Sequence, residues 1–154
     1  MTDKIITDRT KLKDTVAALQ SQGKKIVFTN GCFDLIHAGH VRYLREAKNS
    51  GNVLVIGLNS DASVSTIKPG RPVTPENQRA EVLASLEMVD YVILFSEDTP
   101  YELIKEIRPD VLVKGADWKI NDIVGKELVK EVRTIPFVEG VSTSNIIKKI
   151  QALK

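Results

Sequence analysis

Short runs of consecutive apolar, largely β-branched residues recur along this chain, and segments with a helical spacing of apolar residues separate them. That alternation limits the possible folds more than any other feature. Residues 25–29, 53–58, 91–95 and 111–113 read as strands, with a weaker fifth at 134–138. Such runs lack a polar alternation, as expected of parallel strands covered on both faces. Between them, residues 10–22 place Leu12, Val16 and Leu19 on one stripe, and Gly23 is a natural stop. Residues 40–48 carry Val41, Leu44 and Ala47 on one face. A helix over 75–86 is expected with Thr74 as N-cap and Pro75 at its first position. Thr99-Pro100-Tyr101-Glu102 reads as a capping box that opens a helix to about Arg108. Residues 144–153 form the last helix, and 123–132 a further one weakened at its start by Gly125.

Strand and helix alternating at this spacing build βαβ units with right-handed crossovers. The expected fold is therefore α/β: a single doubly wound parallel sheet, Rossmann-like, in one domain over residues 1–154. Its N-terminal helix covers about 10–22 and its core 24–154. Ligands of this architecture sit at the carboxyl ends of the strands. Residues 60–73 are rich in Ser, Thr, Gly, Pro and basic side chains without clear periodicity, and read as a mobile functional loop.

Composition narrows the function. Lys and Arg total 22 against 20 for Asp and Glu, a net charge of +2. That balance offers no bulk footprint for nucleic acid. Cys32 is the single cysteine, which excludes an internal disulfide and cysteine-based zinc sites and suits a reducing compartment. No apolar run approaches a membrane span, and the first residues lack the pattern of a signal peptide. The expectation is a cytoplasmic protein with no membrane partner.

The sharpest chemical signal follows the first strand, where residues 29–40 read Thr-Asn-Gly-Cys-Phe-Asp-Leu-Ile-His-Ala-Gly-His. Both histidines of the protein, His37 and His40, lie here, three residues apart at the entry to a helix. A helix start offers free N–H groups and partial positive charge, which suits phosphate, and Gly39 lets a ligand approach the backbone. A helix cap plus a core residue is the plain alternative. A metal site is another, but two histidines without a nearby third ligand make a poor one. The P-loop and the G-x-G-x-x-G fingerprint are both absent.

Further segments follow in order: Asn59-Ser60-Asp61-Ala62-Ser63, Lys68, Arg71-Pro72-Val73, Asn77-Gln78-Arg79, Glu97-Asp98-Thr99-Pro100, Val113-Lys114-Gly115-Ala116-Asp117-Trp118 and Ser142-Thr143-Ser144-Asn145-Ile146-Ile147. With His-x-Gly-His, this series resembles the adenylyltransferase domains of ADP-heptose synthases, in the cytidylyltransferase-like nucleotidyltransferase superfamily. The resemblance covers about residues 10–151. It implies the His-x-Gly-His nucleotidyltransferase form of the Rossmann-like fold. It also implies transfer of AMP from ATP to a heptose 1-phosphate, giving ADP-heptose and pyrophosphate for lipopolysaccharide or other surface glycans. In many bacteria this domain follows a sugar kinase. No kinase portion stands in this sequence, so a separate sugar kinase is expected upstream, and a homodimer is expected because relatives are often dimers. The stretch between Lys68 and Arg71 is shorter than usual, Ser65-Thr66 replace a common basic residue, and Lys-Gly-Ala-Asp-Trp stands for the usual Lys-Gly-Gly-Asp-Tyr. These departures bear on the identity of the sugar.

By resemblance, His37 and His40 contact the triphosphate and Lys68 reaches its α-phosphate from the loop. Arg71 and Arg79 are expected to hold a phosphate in bidentate fashion, with an ion pair to Glu76 or Glu81 as the alternative for Arg79. Ser142, Thr143 and Ser144 open the last helix and suit the β- and γ-phosphates, or are an ordinary cap. Thr29, Asn30, Gly31 and Phe33 line the first loop, and Lys114 and Gly115 lie just past a strand end; all are assigned to the nucleotide. Asp61 and Asp117 are assigned to substrate, with a turn cap as the alternative for Asp61; Trp118 stands open between binding and packing. Asp34 is expected to fix the first loop and Cys32 to pack. Magnesium enters with ATP, without a protein-only metal site. Two rivals remain: a CTP-dependent enzyme acting on glycerol 3-phosphate or a similar alcohol phosphate, and a non-catalytic nucleotide-binding module.

Overall fold

Among the described residues every strand pairs in parallel in one sheet, so each must be followed by a crossover that returns the chain to the same edge. The computed structural model describes residues 2–136 and 138–153. Among these, the sheet order is β1-β4-β3-β2-β5-β6, from β1 (Ile5–Ile6), β2 (Ile26–Gly31), β3 (Val53–Asn59), β4 (Tyr91–Phe95), β5 (Val111–Gly115) and β6 (Glu131–Ile135). This is the α/β Rossmann-like parallel sheet expected from the apolar runs.

Alternate residues of each strand serve opposite faces. Phe28, Val55, Ile93 and Leu112 pack on α1 (Arg9–Ser21) and α5 (Tyr101–Ile107) through Leu12, Val16, Leu103 and Ile104. Val27, Leu54, Ile56, Val92 and Val111 pack on α2 (Ala38–Lys48) and α4 (Glu76–Ala84) through Leu44, Ala47, Ala80 and Leu83. Each such side chain contributes about 1.5–3 kcal/mol when fully buried. Gly57 in β3 allows the two layers to close: a Cβ there would meet Phe28 Cζ at 2.7 Å and Leu103 Cδ2 at 3.2 Å. Gly23 stops α1 in the left-handed region at φ +81°.

Several expectations need correction. The edge strand β1 was not anticipated; it is two residues long, paired through Ile5 and Ile6 to Val92 and Ile93. The stretch 60–73 is not loop throughout, because α3 (Asp61–Ile67) forms behind Ser60, whose Oγ accepts from Ser63 N at 3.3 Å. The helix expected over 123–132 is replaced by single 3-10 turns at Ile120–Asp122 and Lys126–Leu128, between which Gly125 takes φ +88°. The last strand starts at Glu131, earlier than expected, and ends before Pro136; Phe137 of the expected strand lies outside the described residues. Pro75 and Pro100 themselves occupy the cap positions of α4 and α5, so the Thr74 cap does not form, and of the Thr99–Glu102 capping box only one half is made, Thr99 Oγ1 accepting from Tyr101 N at 3.4 Å.

The order reverses at β2. The chain moves to β3 on one side and later to β5 on the other, so the loops after β2 and β5 part and leave a crevice at the carboxyl edge.

Candidate active site

That crevice is a cavity of about 790 Å³. Asn30 and Gly31 from β2 and Lys114 and Gly115 from β5 line it, as do the starts of α2 and α6 (Thr143–Ala152). Asn59, Val64, Ile67, Lys68 and Arg71 line it from the β3 side, and Asp98, Thr99 and Pro100 from the β4 side.

The two histidines cap their own helix. His37 is the N-cap of α2, and its Nδ1 accepts from Gly39 N at 3.1 Å. His40 Nδ1 accepts in return from His37 N at 3.3 Å. The rings stack with centroids 3.9 Å apart, and Phe33 lies 5.4 Å from His40. Both Nδ1 atoms are acceptors, so in each neutral ring the proton sits on Nε2, which is left to donate elsewhere. Burial, followed by the nearby His37 and Lys68, pulls His40 down to about 4; burial also lowers His37. At neutral pH the pair is uncharged, and each ring presents one N–H.

Two glycines and a strained backbone make this arrangement possible. A Cβ on Gly39 would sit 2.9 Å from the His37 ring, and one on Gly31 2.9 Å from Phe33 Cε2. Phe33 is buried at φ +46°, a conformation that costs a non-glycine residue of order 1–3 kcal/mol. The cap and the phosphate-site readings of His37 and His40 are thus compatible: capping orients the rings.

The start of α6 lies beside the start of α2. Thr143 Oγ1 donates to Leu35 O at 3.2 Å, tying the two segments. Ser142 is the N-cap, its Oγ accepting from Asn145 N at 3.0 Å. The first amides of both helices lack intrahelical acceptors, and both helix starts border the same cavity. Lys114 is half-buried and its ammonium lies 5.1 Å from the Trp118 ring centroid, a cation–π contact. Burial lowers the Lys114 pKa, while Asp117 and Cys32 oppose the shift. Asn30 Oδ1 is buried without a partner, an acceptor open to a ligand donor.

Of the residues singled out in the sequence, Asn30, Gly31, Phe33, His37, Gly39, His40, Lys68, Arg71, Lys114, Gly115, Asp117, Ser142, Thr143 and Ser144 all line this cavity. Three do not, and the assignments of Thr29 and Arg79 are corrected. Thr29 is fully buried beneath the floor, with its hydroxyl bonded to Val113 O at 2.9 Å and to Tyr43 Oη at 2.8 Å. Arg79 is 1% exposed and is bonded to Thr74 O, Cys32 O, Asn59 O and Asp61 Oδ1. Neither a bidentate grip on phosphate nor a pair with Glu76 or Glu81 is open to it. Asp61 is the partner of Arg79, not a cap, and its backbone N–H donates to Glu76 Oε2 at 2.7 Å. Asp34 fixes its loop as expected: its carboxylate accepts from Val73 N and Thr74 N at 2.9 and 2.8 Å.

Sequence reasoning missed Tyr43, Val64 and Ile67, and gave no site role to Asn59 and Asp98–Pro100 although both stand in the segments that carry the resemblance. Tyr43 was within reach, being one turn after His40 on α2; its hydroxyl lies 2.8 Å from Thr29 Oγ1 and 3.2 Å from Val113 O, sharing that acceptor with Thr29, and burial pushes its pKa up to about 12. Among the described residues no group of three or more His, Cys, Asp or Glu is placed to hold a metal ion, and no helix is long and apolar enough to cross a membrane.

Comparison with known proteins agrees with this geometry. Residues 28–149 match the model of the family described as cytidylyltransferase-like. The bifunctional protein HldE of Nitratiruptor sp. is 53% identical over 98% of this chain and 33% of its own length. The HldE protein of Wolinella succinogenes is 55% identical over 95% and 31%. The chain thus spans about a third of the curated relatives it matches. A solved lipopolysaccharide core biosynthesis protein from Thermoplasma volcanium is 31% identical with a TM-score of 0.62, covering 73% of this chain and 98% of that one. Pantoate-beta-alanine ligase from Francisella tularensis, 16% identical with a TM-score of 0.63 over 97% of this chain and 79% of its own, shares the fold.

Proposed function

The chain belongs to the cytidylyltransferase-like family, and we propose from that premise that it transfers AMP from ATP to a heptose 1-phosphate, releasing pyrophosphate. The observation that carries this reading is the meeting of two helix starts, two uncharged imidazoles and three cationic side chains (Lys68, Arg71 and Lys114) around one cavity. This is a site for phosphate groups on more than one molecule. The likeness to HldE proteins favours ATP and a heptose phosphate.

A phosphate oxygen of the acceptor attacks the α-phosphorus, a new P–O bond forms, and the bond to the bridging oxygen of pyrophosphate breaks. The attacking oxygen is already ionised, so no general base is required. The work of the site is positioning and charge stabilisation. The Nε2–H groups of His37 and His40 donate to phosphoryl oxygens, which gain charge in the transition state. Lys68 neutralises the α-phosphate. The starts of α2 and α6, with Ser142, Thr143 and Ser144, take the leaving pyrophosphate. Asn30, Gly31, Phe33, Lys114 and Gly115 hold the nucleoside half, and Arg71 and Asp117 hold the acceptor. Magnesium enters as the counter-ion of the triphosphate, held by phosphate and water. The product serves lipopolysaccharide or another surface glycan in the cytoplasm, a sugar kinase supplies the acceptor, and the enzyme works as a homodimer.

The test is a panel of ATP and CTP against heptose 1-phosphates, other sugar 1-phosphates and glycerol 3-phosphate, reading pyrophosphate release. Turnover with ATP and a heptose 1-phosphate is expected. Turnover with CTP and glycerol 3-phosphate alone would replace this reading with the cytidylyltransferase one. Nucleotide binding without turnover on any acceptor would leave a binding module.

A further inference from the structure

The segment between α3 and α4 has little to hold it in place. Lys68, Pro69 and Gly70 are exposed, and Gly70 takes φ +80°. Yet this segment carries Lys68 and Arg71, two of the three cations of the cavity. What anchors it is a pair of buried charges from elsewhere in the chain. The Asp34 carboxylate, its side chain 5% exposed, accepts from Val73 N and Thr74 N, and Arg71 Nη1 lies 3.9 Å from its Oδ2. The Arg79 guanidinium donates through Nε to Thr74 O at 2.9 Å. Its Nη1 reaches Cys32 O at 2.6 Å and Asn59 O at 2.9 Å, and its Nη2 reaches Asp61 Oδ1 at 2.8 Å.

Burying an arginine costs several kcal/mol unless its donors are matched. Here only one partner is a carboxylate, and that carboxylate is 43% exposed. A leucine or methionine would fill the same helix face more cheaply. What the arginine supplies is a single rigid fork that ties the loop after β2, the end of β3 and the entry to α4 to one point.

We propose that Arg79 and Asp34 are positioning residues, a clasp that sets the segment 68–74 against the first loop and so aims Arg71 at the acceptor phosphate and Lys68 at the α-phosphate it attacks. The proposal rests on the two-substrate reading above. Most groups assigned to the triphosphate and nucleoside, at the starts of α2 and α6 and on β5, have no hydrogen bond to Arg79; only Lys68 on the clasped segment and the loop at Cys32, whose carbonyl Arg79 holds, connect it to the nucleotide. Loosening the clasp therefore weakens the acceptor more than the nucleotide.

The experiment compares wild type with Arg79→Lys, Arg79→Met and Asp34→Asn. It reads the KM for heptose 1-phosphate at saturating ATP, the calorimetric Kd for ATP, and amide hydrogen exchange over residues 68–74. Each variant should raise the acceptor KM roughly 10- to 100-fold, the scale of a small misplacement of catalytic groups. The Kd for ATP, which keeps its contacts at α2, α6 and β5, should rise by a smaller factor than the acceptor KM, exchange over 68–74 should accelerate, and Arg79→Lys should recover part of what Arg79→Met loses. An unchanged acceptor KM, or an equal loss of ATP affinity, in a folded variant overturns the clasp. Asp34→Asn decides the matter if neither Arg79 variant folds. Should the wild type turn over no heptose 1-phosphate, the proposed function falls, and exchange alone judges the clasp: unchanged exchange over 68–74 rejects it and faster exchange keeps it.

Discussion

Replacing His40 with asparagine separates the cap bond that the ring makes from the phosphate contact proposed for it. The asparagine Oδ1 can take over the role of Nδ1 and accept from His37 N, so α2 keeps its start. The Nε2–H donor is lost. Removing one preorganised donor to a developing phosphoryl charge costs about 2–4 kcal/mol, or roughly 30- to 1000-fold in kcat. A second readout comes from protonation. His40 is lowered to about 4 from 6.5, first by burial and then by His37 and Lys68. The unfolded chain therefore binds a proton between those two values that the folded chain refuses, and stability falls as pH drops through that window. At pH 5 the linkage amounts to about 2 kcal/mol relative to pH 7.5, which is roughly 4–8 °C in Tm for a chain of this size. Melting scans without nucleotide should show that loss in wild type and a smaller one in His40→Asn, since Asn does not titrate. A variant that keeps the wild-type kcat, or the full acid sensitivity, would refute the reasoning on that ring.

Other perturbations test neighbouring parts. Ser142→Ala removes the α6 cap and should cost about 1 kcal/mol in stability together with a raised KM for ATP, both measurable on one preparation. Gly57→Ala forces a Cβ to 2.7 Å from Phe28 Cζ; overpacking of this kind costs about 1–3 kcal/mol in urea melts, with kcat unchanged if β3 keeps its register. Arg9 and Glu97 form a bidentate pair at 2.7 and 2.6 Å, and the Arg9 hydrogen bonds hold Glu97 at about 2. Its stability contribution is present above the ordinary carboxylate range and lost as pH falls toward 2. Because Glu97 is 39% exposed, Arg9→Met should cost no more than about 1 kcal/mol, read from chemical denaturation at pH 7.

Much of this was legible in the chain because the apolar runs and His-x-Gly-His are local signals. β3 needs no partner to announce itself when all seven of its residues are buried, and the two histidines sit where a strand must turn into a helix. What escaped depends on distant contacts. α3 shows no periodicity in the sequence because its helix rests on a Ser60 cap and a buried Val64, too short a pattern to stand out. β1 exists only because β4 offers an open edge. Arg79 looked like a phosphate ligand because nothing near it in sequence reveals that Cys32 O and Asn59 O, 47 and 20 residues away, saturate its donors.

The proposed reaction requires that the starts of α2 and α6 hold one triphosphate between them. A crystal structure of the protein with a non-hydrolysable ATP analogue measures this directly. The phosphates should lie within hydrogen-bond reach of Nε2 of His37 and His40 and of the Ser142–Ser144 segment, with the nucleoside toward Lys114. A nucleotide bound elsewhere, with both imidazoles still facing solvent, would contradict it.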